Sequence, residues 1–592
     1  MDQKRLFAAI ALSIGILLIF DVWNRTNQPP PPPPAPAAQR ADVPVPAAPA
    51  AVPATPGAAP AQAEAQAAAQ RTPAPRLRVD TPRMAGTINL RGARLDDLIF
   101  TTYRETLAPD SPNVRLFAPR DGQNPYFAQW GWTAADGRTR VPDGETEWTA
   151  TGGPLVPDRT VTLRWDNGQG QVFEILLTVD AEYMVTAEQR VRNDGGEAIS
   201  VLPWVRVRRD YTPPTAGFFI LHEGFTGVLG GRLQEVDFSD AKSEGARRGG
   251  TALEQETTGG WAGITDKYWL AAIMPASPDQ TLRAAYRHVN EGGGAAGDRW
   301  QVDMATPQPL TVAPGATASM PTRLFAGAKE VHLLDSYMKR LNITDFDKAI
   351  DFGWFYFLVK PFFLALDWLF RLTGNFGVAI LIFTVAIKAA FFPLANKAYH
   401  SMAKMKILAP KMQEIKERYK EDPQKAQQEM MALYRSEKVN PASGCLPILI
   451  QIPVFFALYK ALFVTIEMRH QPFFGWIKDL SAPDPTNLFN LFGLLPFDPA
   501  ALSVFLHMPA WALIMGFTMW IQMKLNPTPP DPIQAKIFAW MPVIFTFMLA
   551  SFPAGLIIYW AWNNTLSVAQ QYYIMRHERA AAKAAKGAGK AK

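Results

Sequence analysis

From about residue 350 onward the chain is dominated by uncharged apolar runs, and several are close to the length that crosses a bilayer. Inside lipid every backbone N–H and C=O must find a partner within the protein, so a spanning run of this kind is a helix. The candidate spans are 376–396, 445–466, 501–523, 537–552 and 554–573. A span takes about 17–25 residues, and 537–552 falls just short. A sixth run, 6–20, follows Met1-Asp-Gln-Lys-Arg. It has the basic start of a signal peptide, but Asp21-Val-Trp-Asn-Arg follows where a small-residue cleavage site belongs. An uncleaved anchor over 1–23 is expected, with Lys4 and Arg5 holding its start in the cytoplasm. The mean hydropathy of −0.05 therefore averages two different halves.

Charge sets the orientation. Loop 397–440 holds ten Lys/Arg against six Asp/Glu, which places it inside. Segment 352–372 is long enough to span, yet doing so would put that loop outside. Its charges, Lys360, Asp367 and Arg371, fall within about 40° on a helical wheel. One polar stripe on an aromatic helix predicts an amphipathic interfacial helix within 331–375. The tail 576–592 has six basic residues and one acidic residue, Glu578. It reads as disordered and cytoplasmic, so both termini are expected inside.

Residues 24–76 cannot bury a core. Within them, 29–76 holds 15 prolines and 18 alanines, six of the prolines consecutive, which describes an extended spacer. Residues 77–330 change character. The β-rich runs 160–165 and 171–180 flank Asp166-Asn-Gly, and 183–193 and 199–208 follow with turns between them. An antiparallel all-β sandwich is predicted, with Trp204, Trp261 and Trp269 in its core or rim. One cysteine, Cys445, excludes a disulfide framework and a multi-cysteine metal site. No phosphate loop, dinucleotide fingerprint, nucleophile elbow or paired-histidine motif occurs, which argues against an enzyme and against a cofactor. A net charge of +6 gives no case for specific DNA binding.

Polar groups inside spans are the functional candidates. Lys388 lies thirteen residues into 376–396, with Thr384 one turn earlier on the same face. The alternative is that Lys388 snorkels to the inner headgroups. Gln451 sits six residues into the next span. Tyr559, Asn563, Ser567 and Gln570 recur as a stripe on the last span, either a polar lining or interhelical glue. No Asp or Glu lies in any span, which disfavours an ion-coupled transporter. In loop 397–440 a helical hairpin is predicted, carrying Met402, Met405, Met412, Met430 and Met431. These methionines either capture varied apolar clients or zip the two helices together.

The stretches 378–394, Ser401-Met-Ala-Lys-Met405, 438–453 with Lys438-Val-Asn-Pro-Ala-Ser-Gly-Cys445, and Phe552-Pro-Ala-Gly-Leu-Ile-Ile-Tyr559-Trp560 resemble the YidC/Oxa membrane protein insertases. Gly92-Ala-Arg-Leu-Asp-Asp, Pro125-Tyr-Phe-Ala and Thr265-Asp-Lys-Tyr-Trp are similar to the exported domain of Gram-negative members. The resemblance implies a polytopic α-helical membrane protein with six transmembrane helices. Five of them, over 376–575, form an insertase core, and a large β-supersandwich lies in the periplasm. It implies a hydrophilic groove open to cytosol and lipid, with Lys388 at the family's groove arginine position and Thr384, Gln451, Tyr559, Trp560 and Asn563 around it. Lysine keeps the charge but not arginine's planar bidentate contacts. The implied setting is a bacterial inner membrane. The implied partners are nascent membrane proteins, the lipid bilayer, the Sec translocon with its accessory subunits, and the ribosome with the signal-recognition machinery. The basic tail is expected on the ribosome or on anionic lipid.

Overall fold

The computed structural model describes residues 74–590, apart from 216–220, 292–296, 354, 438–445, 498, 500–505 and 527–531. The expected anchor 1–23 and most of the spacer therefore lie outside the described residues, as does Cys445.

Alternating apolar positions from β1 (Arg76–Asp80) to β19 (Thr317–Ala328) build two antiparallel sheets. One runs β1, β2 (Met84–Asn89), β3 (Arg94–Arg104), β5 (Tyr126–Ala134), β10 (Ile199–Arg209), β17 (Asp298–Ala305), β16 (Thr281–Asn290) and β13 (Thr251–Thr258), with β4 (Asn113–Phe117) paired to β3 and β18 (Leu310–Val312) to β10. The other runs β12 (Arg232–Asp237), β11 (Gly224–Leu229), β14 (Trp261–Thr265), β15 (Trp269–Pro275), β19, β9 (Met184–Asn193), β8 (Gln171–Val179), β7 (Val161–Asp166) and β6 (Thr149–Thr151). The hairpin predicted around Asp166-Asn-Gly forms between β7 (Val161–Asp166) and β8 (Gln171–Val179). Large rings fill the space between the sheets: Trp130, Trp261, Trp300, Tyr183 and Phe225 are essentially inaccessible. Trp204 instead lies on the outer face, across Gly131, where a Cβ would meet its ring at 2.3 Å. Trp269 is half-buried beside Phe100. Helix α1 (Phe238–Arg247) closes one edge.

After β19 the chain does not hang free. Helix α2 (Val331–Arg340) and the turn Phe346–Ala349 dock on the end of the sandwich. The Tyr337 hydroxyl donates to Asp180 at 2.7 Å, and Phe346 packs edge-on against Trp261. Helix α3 (Tyr356–Thr373) follows. Two of its three stripe charges, Lys360 and Asp367, are turned into the protein, while Arg371 stays largely exposed. Lys360 pairs with Asp335 at 2.8 Å and Asp347 at 2.5 Å, while Asp367 accepts from His332 and Arg371. Beside that stripe, about 60–120° round the helix from Lys360, Phe357, Trp368 and Leu372 are exposed. An amphipathic helix at an interface presents such an apolar side to lipid.

The expected span 376–396 is broken. Helix α4 (Phe376–Ala390) and helix α5 (Phe392–Arg418) meet at a 70° bend. Pro393 sits in the first turn of α5, where its missing N–H costs nothing, and it disfavours helical backbone just before it. Helix α6 (Pro423–Ser436) completes the hairpin, capped by Asp422. Then come α7 (Leu446–Val464), α8 (Ala510–Leu525), α9 (Pro532–Leu549) and α10 (Ala554–Lys590). The stretch expected to be short, 537–552, is not alone in that: its apolar helix covers Ala535–Leu549. Helix α9 has 18 residues, whereas α4 has 15 and α8 has 16. Helix α10 runs through 576–590, which the sequence reading left disordered. Alanine is the strongest helix former and dominates that stretch. Among the described residues no single helix is both long and apolar enough to cross a membrane by itself, while the bent pair α4–α5 passes that test.

The sandwich and the helices share a buried seam. Arg469 donates to the carbonyls of Arg104 and Glu105 at 2.7 and 3.0 Å. Lys267 lies 3.9 Å from the Phe463 ring, and burial lowers its pKa to about 8. Lys460 pairs with Asp351 at 2.6 Å, and the same carboxylate accepts from the His222 amide. Glu467 accepts from the Val331 amide at 2.8 Å, capping α2 from outside. Desolvation of its shielded Oε2 pushes the Glu467 carboxyl up to about 8.

Candidate functional site

The polar residues expected within the spans converge on α10. Lys388, in the last turn of α4, donates to the Ser567 hydroxyl at 2.6 Å. Ser567 is buried and donates in turn to the Asn563 carbonyl at 2.8 Å, so its oxygen is left free to accept. Tyr399 of α5 also reaches Ser567. About two turns of α10 earlier, Gln451 of α7 donates to the Tyr559 hydroxyl at 2.9 Å. Trp560 packs between Phe455 and Phe545, with ring centroids at 4.6 and 5.7 Å. These contacts make two adjoining polar bridges, α4–α10 and α7–α10, over an aromatic floor.

Thr384 does not join them. It is buried and its hydroxyl donates back to the Ile380 carbonyl at 2.7 Å. The side chain thus satisfies itself within α4, the usual course for a threonine in an apolar helix. Gln570 is also apart, with a buried Nε2 that has no partner among the described residues.

The other side of α10 carries polar contacts that the sequence reading missed. Asn564 donates to Thr518 at 3.4 Å and Gln571 to Asn526 at 3.0 Å, both toward α8 and its end. The signal was present as Asn563-Asn564 and Gln570-Gln571, doublets that place amides on two faces at once. Between α8 and α9, Gly516 lets Thr546 approach so closely that a Cβ would lie 2.0 Å from its hydroxyl. Small residues of this kind are how helices gain contact in lipid.

The hairpin methionines divide. Met402 is buried with Tyr399 and Ile574, and Met405 packs beside them. Met412 accepts from the Tyr434 hydroxyl at 3.5 Å, zipping α5 to α6. Met430 is half-buried, and Met431 is exposed. Met402 and Met412 are turned into the protein by their contacts, while Met431 faces outward. Lys406 fixes the hairpin's root by donating to the carbonyls of Lys524 and Leu525 at 2.6 and 3.3 Å.

Magnitudes separate Lys388 from its neighbours. Interhelical side-chain hydrogen bonds in membranes contribute about 0.6 kcal/mol on average and at most about 1.7. A charged lysine at a span's centre costs about 2.5–3.5 kcal/mol even on the mildest scale. One serine hydroxyl does not offset that, and no carboxylate pairs with Lys388 among the described residues. The Gln451–Tyr559 bridge is accounted for as packing; the ammonium is not.

Family comparisons match both halves. The model described as YidC periplasmic domain matches residues 76–365, and the one described as 60Kd inner membrane protein matches 368–582. The membrane protein insertase YidC of Granulibacter bethesdensis is 53% identical over 587 residues, 98% of each chain. The chain belongs to the YidC membrane protein insertase family. The YidC of Nitrobacter hamburgensis is 54% identical over 85% of this chain and 83% of its own. A crystal structure titled as an active YidC insertase with its first transmembrane domain resolved aligns over 84% of this chain and 92% of that one. Its TM-score is 0.36 and its identity 20%, so no geometry is carried over from it. YidC membership makes this chain a polytopic inner-membrane insertase, not an enzyme, with its β-sandwich in the periplasm and nascent membrane proteins as its clients.

Proposed function

We propose that Lys388 is the receiving charge of a hydrophilic groove through which this insertase passes the polar tail of a client. The observation that carries the reading is an ammonium held between α4 and α10 by a hydroxyl, with no counter-charge among the described residues. Such a cation gains most when an acidic client residue enters, because the pair forms where solvent screening is weak. The client's apolar segment meanwhile leaves along α7 and α10 into lipid. About 20 apolar residues supply the driving force at roughly −0.3 to −0.6 kcal/mol for each central Leu, Ile, Phe or Val, without nucleotide or cofactor. The exposed Met431 and Ile407 offer the hairpin's first apolar contact.

In this reading the groove opens to cytosol and lipid, both termini are cytoplasmic, and the hairpin and α10 tail face the ribosome and targeting machinery. The Sec translocon then takes those clients whose domains are too large for the groove. The test is insertion of a short single-span client into liposomes containing only this protein. With an acidic client tail, Lys388→Ala should insert poorly, Lys388→Arg normally, and Lys388→Glu worse than alanine. With a neutral tail the variants should be alike. Equal insertion of the acidic tail by Lys388→Ala would remove Lys388 from the mechanism.

A further inference from the structure

Residues 488–497, Leu-Phe-Asn-Leu-Phe-Gly-Leu-Leu-Pro-Phe, stand out from the loop between α7 and α8. The stretch before them seals the end of the helices nearest the sandwich. Leu480 and Ala482 carbonyls accept from Gly555 and Ala554, and Asp484 accepts from the Trp511 amide at 3.0 Å. The segment itself is not sealed against anything. Leu491, Phe492, Leu495 and Phe497 are about half exposed, and Leu494 is 82% exposed. Soluble surfaces rarely carry so many large apolar side chains together.

Its polar groups are turned inward. The Phe492 amide donates to the Asn487 carbonyl at 2.7 Å and the Leu495 amide to the Asn490 carbonyl at 3.0 Å. Asn490 accepts from the Gly493 amide and donates to the Phe497 carbonyl, while Asn487 accepts from the Phe489 amide and donates to the Leu506 carbonyl. Leu491 and Phe492 take left-handed backbone, with φ of 49° and 58°. Bulky residues seldom adopt it, and here the two asparagines hold the turn that presents them. The loop thus has the two properties that lipid demands of irregular backbone: satisfied amides and apolar side chains.

We infer that 488–497 dips into the acyl-chain region of the outer leaflet as a lipid anchor. Three observations favour lipid over a protein partner. Residues 485–497 carry no charge, whereas a protein interface is normally rimmed by polar and charged groups. The loop is bonded to the start of α8 through Leu488 and Ala510, and the exposed Ile514, Phe517 and Trp520 of α8 continue its apolar surface along the membrane. Exposed Phe474 and Trp476 lie just before it, with the Trp476 N–H donating to Asp484, as in an interfacial aromatic belt.

The experiment uses the full chain in liposomes of zwitterionic and anionic phospholipid. In a Cys445→Ser background, Leu494→Cys carries an environment-sensitive fluorophore, and Ser243→Cys on the sandwich is the water-exposed control. The Leu494 label should be blue-shifted, quenched by lipids bearing nitroxide on the acyl chain, and protected from aqueous iodide. The Ser243 label should show the reverse. In unlabelled protein, Leu494→Glu should make the loop a protease target that the parent is not. Iodide quenching without lipid quenching would place the loop in water and overturn the inference. A blue shift without lipid quenching that grows with protein density would assign the surface to a second copy, and would overturn it equally.

Discussion

Glu467→Gln should make the seam between sandwich and helices indifferent to pH, where the parent protein loosens as pH rises. Glu467 is half-buried; its Oε1 accepts from the Val331 amide, and its Oε2 is shut from solvent with no partner among the described residues. Its carboxyl titrates at about 8 in the closed seam, against 4.5 for a free glutamate. Between those values the closed state holds a proton that the open state releases, so stability falls as pH rises through the window and levels off above about 8. The slope is about 1.4 kcal/mol per pH unit, which between pH 5 and 7 amounts to roughly a hundredfold more opening. Glutamine keeps the acceptor for Val331 and carries no charge, so its slope from this site is zero. Amide exchange at the start of α2, measured in nanodiscs and corrected for the intrinsic pH dependence of exchange, reads the difference. Parallel pH profiles for parent and variant would show that the carboxyl is ionised in the closed seam, and the burial argument would fail.

Other perturbations test other joints. Asp351→Ala removes a carboxylate partner of Lys460 and the acceptor of the His222 amide; it should destabilise the seam, and a lowered detergent-solubilised melting temperature checks it. Gly516→Val drives side-chain carbon into Thr546 and should destabilise the α8–α9 pair by about 1–3 kcal/mol, read as faster proteolysis between those helices, while Gly516→Ala should sit between valine and the parent. Lys360→Met takes the ammonium from Asp335 and Asp347 and should unseat α3 from α2, seen as increased labelling of a cysteine at Val359, which is buried in the parent. The α10 tail should be helical: spin labels at 580 and 584 should lie about 6 Å apart along the axis, as an i, i+4 pair requires, and a broad distance distribution would refute it.

Sequence reading reached the sandwich because strand alternation and the Asp166-Asn-Gly turn are local signals. It reached the hairpin because Asp422-Pro423 marks a helix start within a few residues. It misjudged whatever depended on distant partners. The stripe of Lys360, Asp367 and Arg371 was plain on the wheel, but Asp335, Asp347 and His332, which pair with Lys360 and Asp367, belong to other elements. The α4–α5 break is a different case. Pro393 was visible, yet Pro453 lies inside the unbroken α7, so proline alone did not say which helix bends. At the site, Lys388 and Ser567 were both singled out, and their meeting required knowing that α4 crosses α10. Thr384 shares a wheel face with Lys388 but spends its hydroxyl on its own helix, a choice that spacing does not reveal.

The bend at Phe391 sets the mechanics of the hairpin. A rod of 27 residues measures about 40 Å, so five degrees of play at its base would carry the far end through about 3.5 Å. Two ties shorten that rod: Met402 against Ile574 and Lys406 on the last carbonyls of α8. Both lie within about 21 Å of the bend, leaving only about 18 Å of α5 beyond them. The working fulcrum is therefore near residue 406, and the same play moves the tip by half as much. A pull on the tip is delivered to α8 and α10 before it reaches α4, so Lys388 stays in register with Ser567 while the hairpin swings.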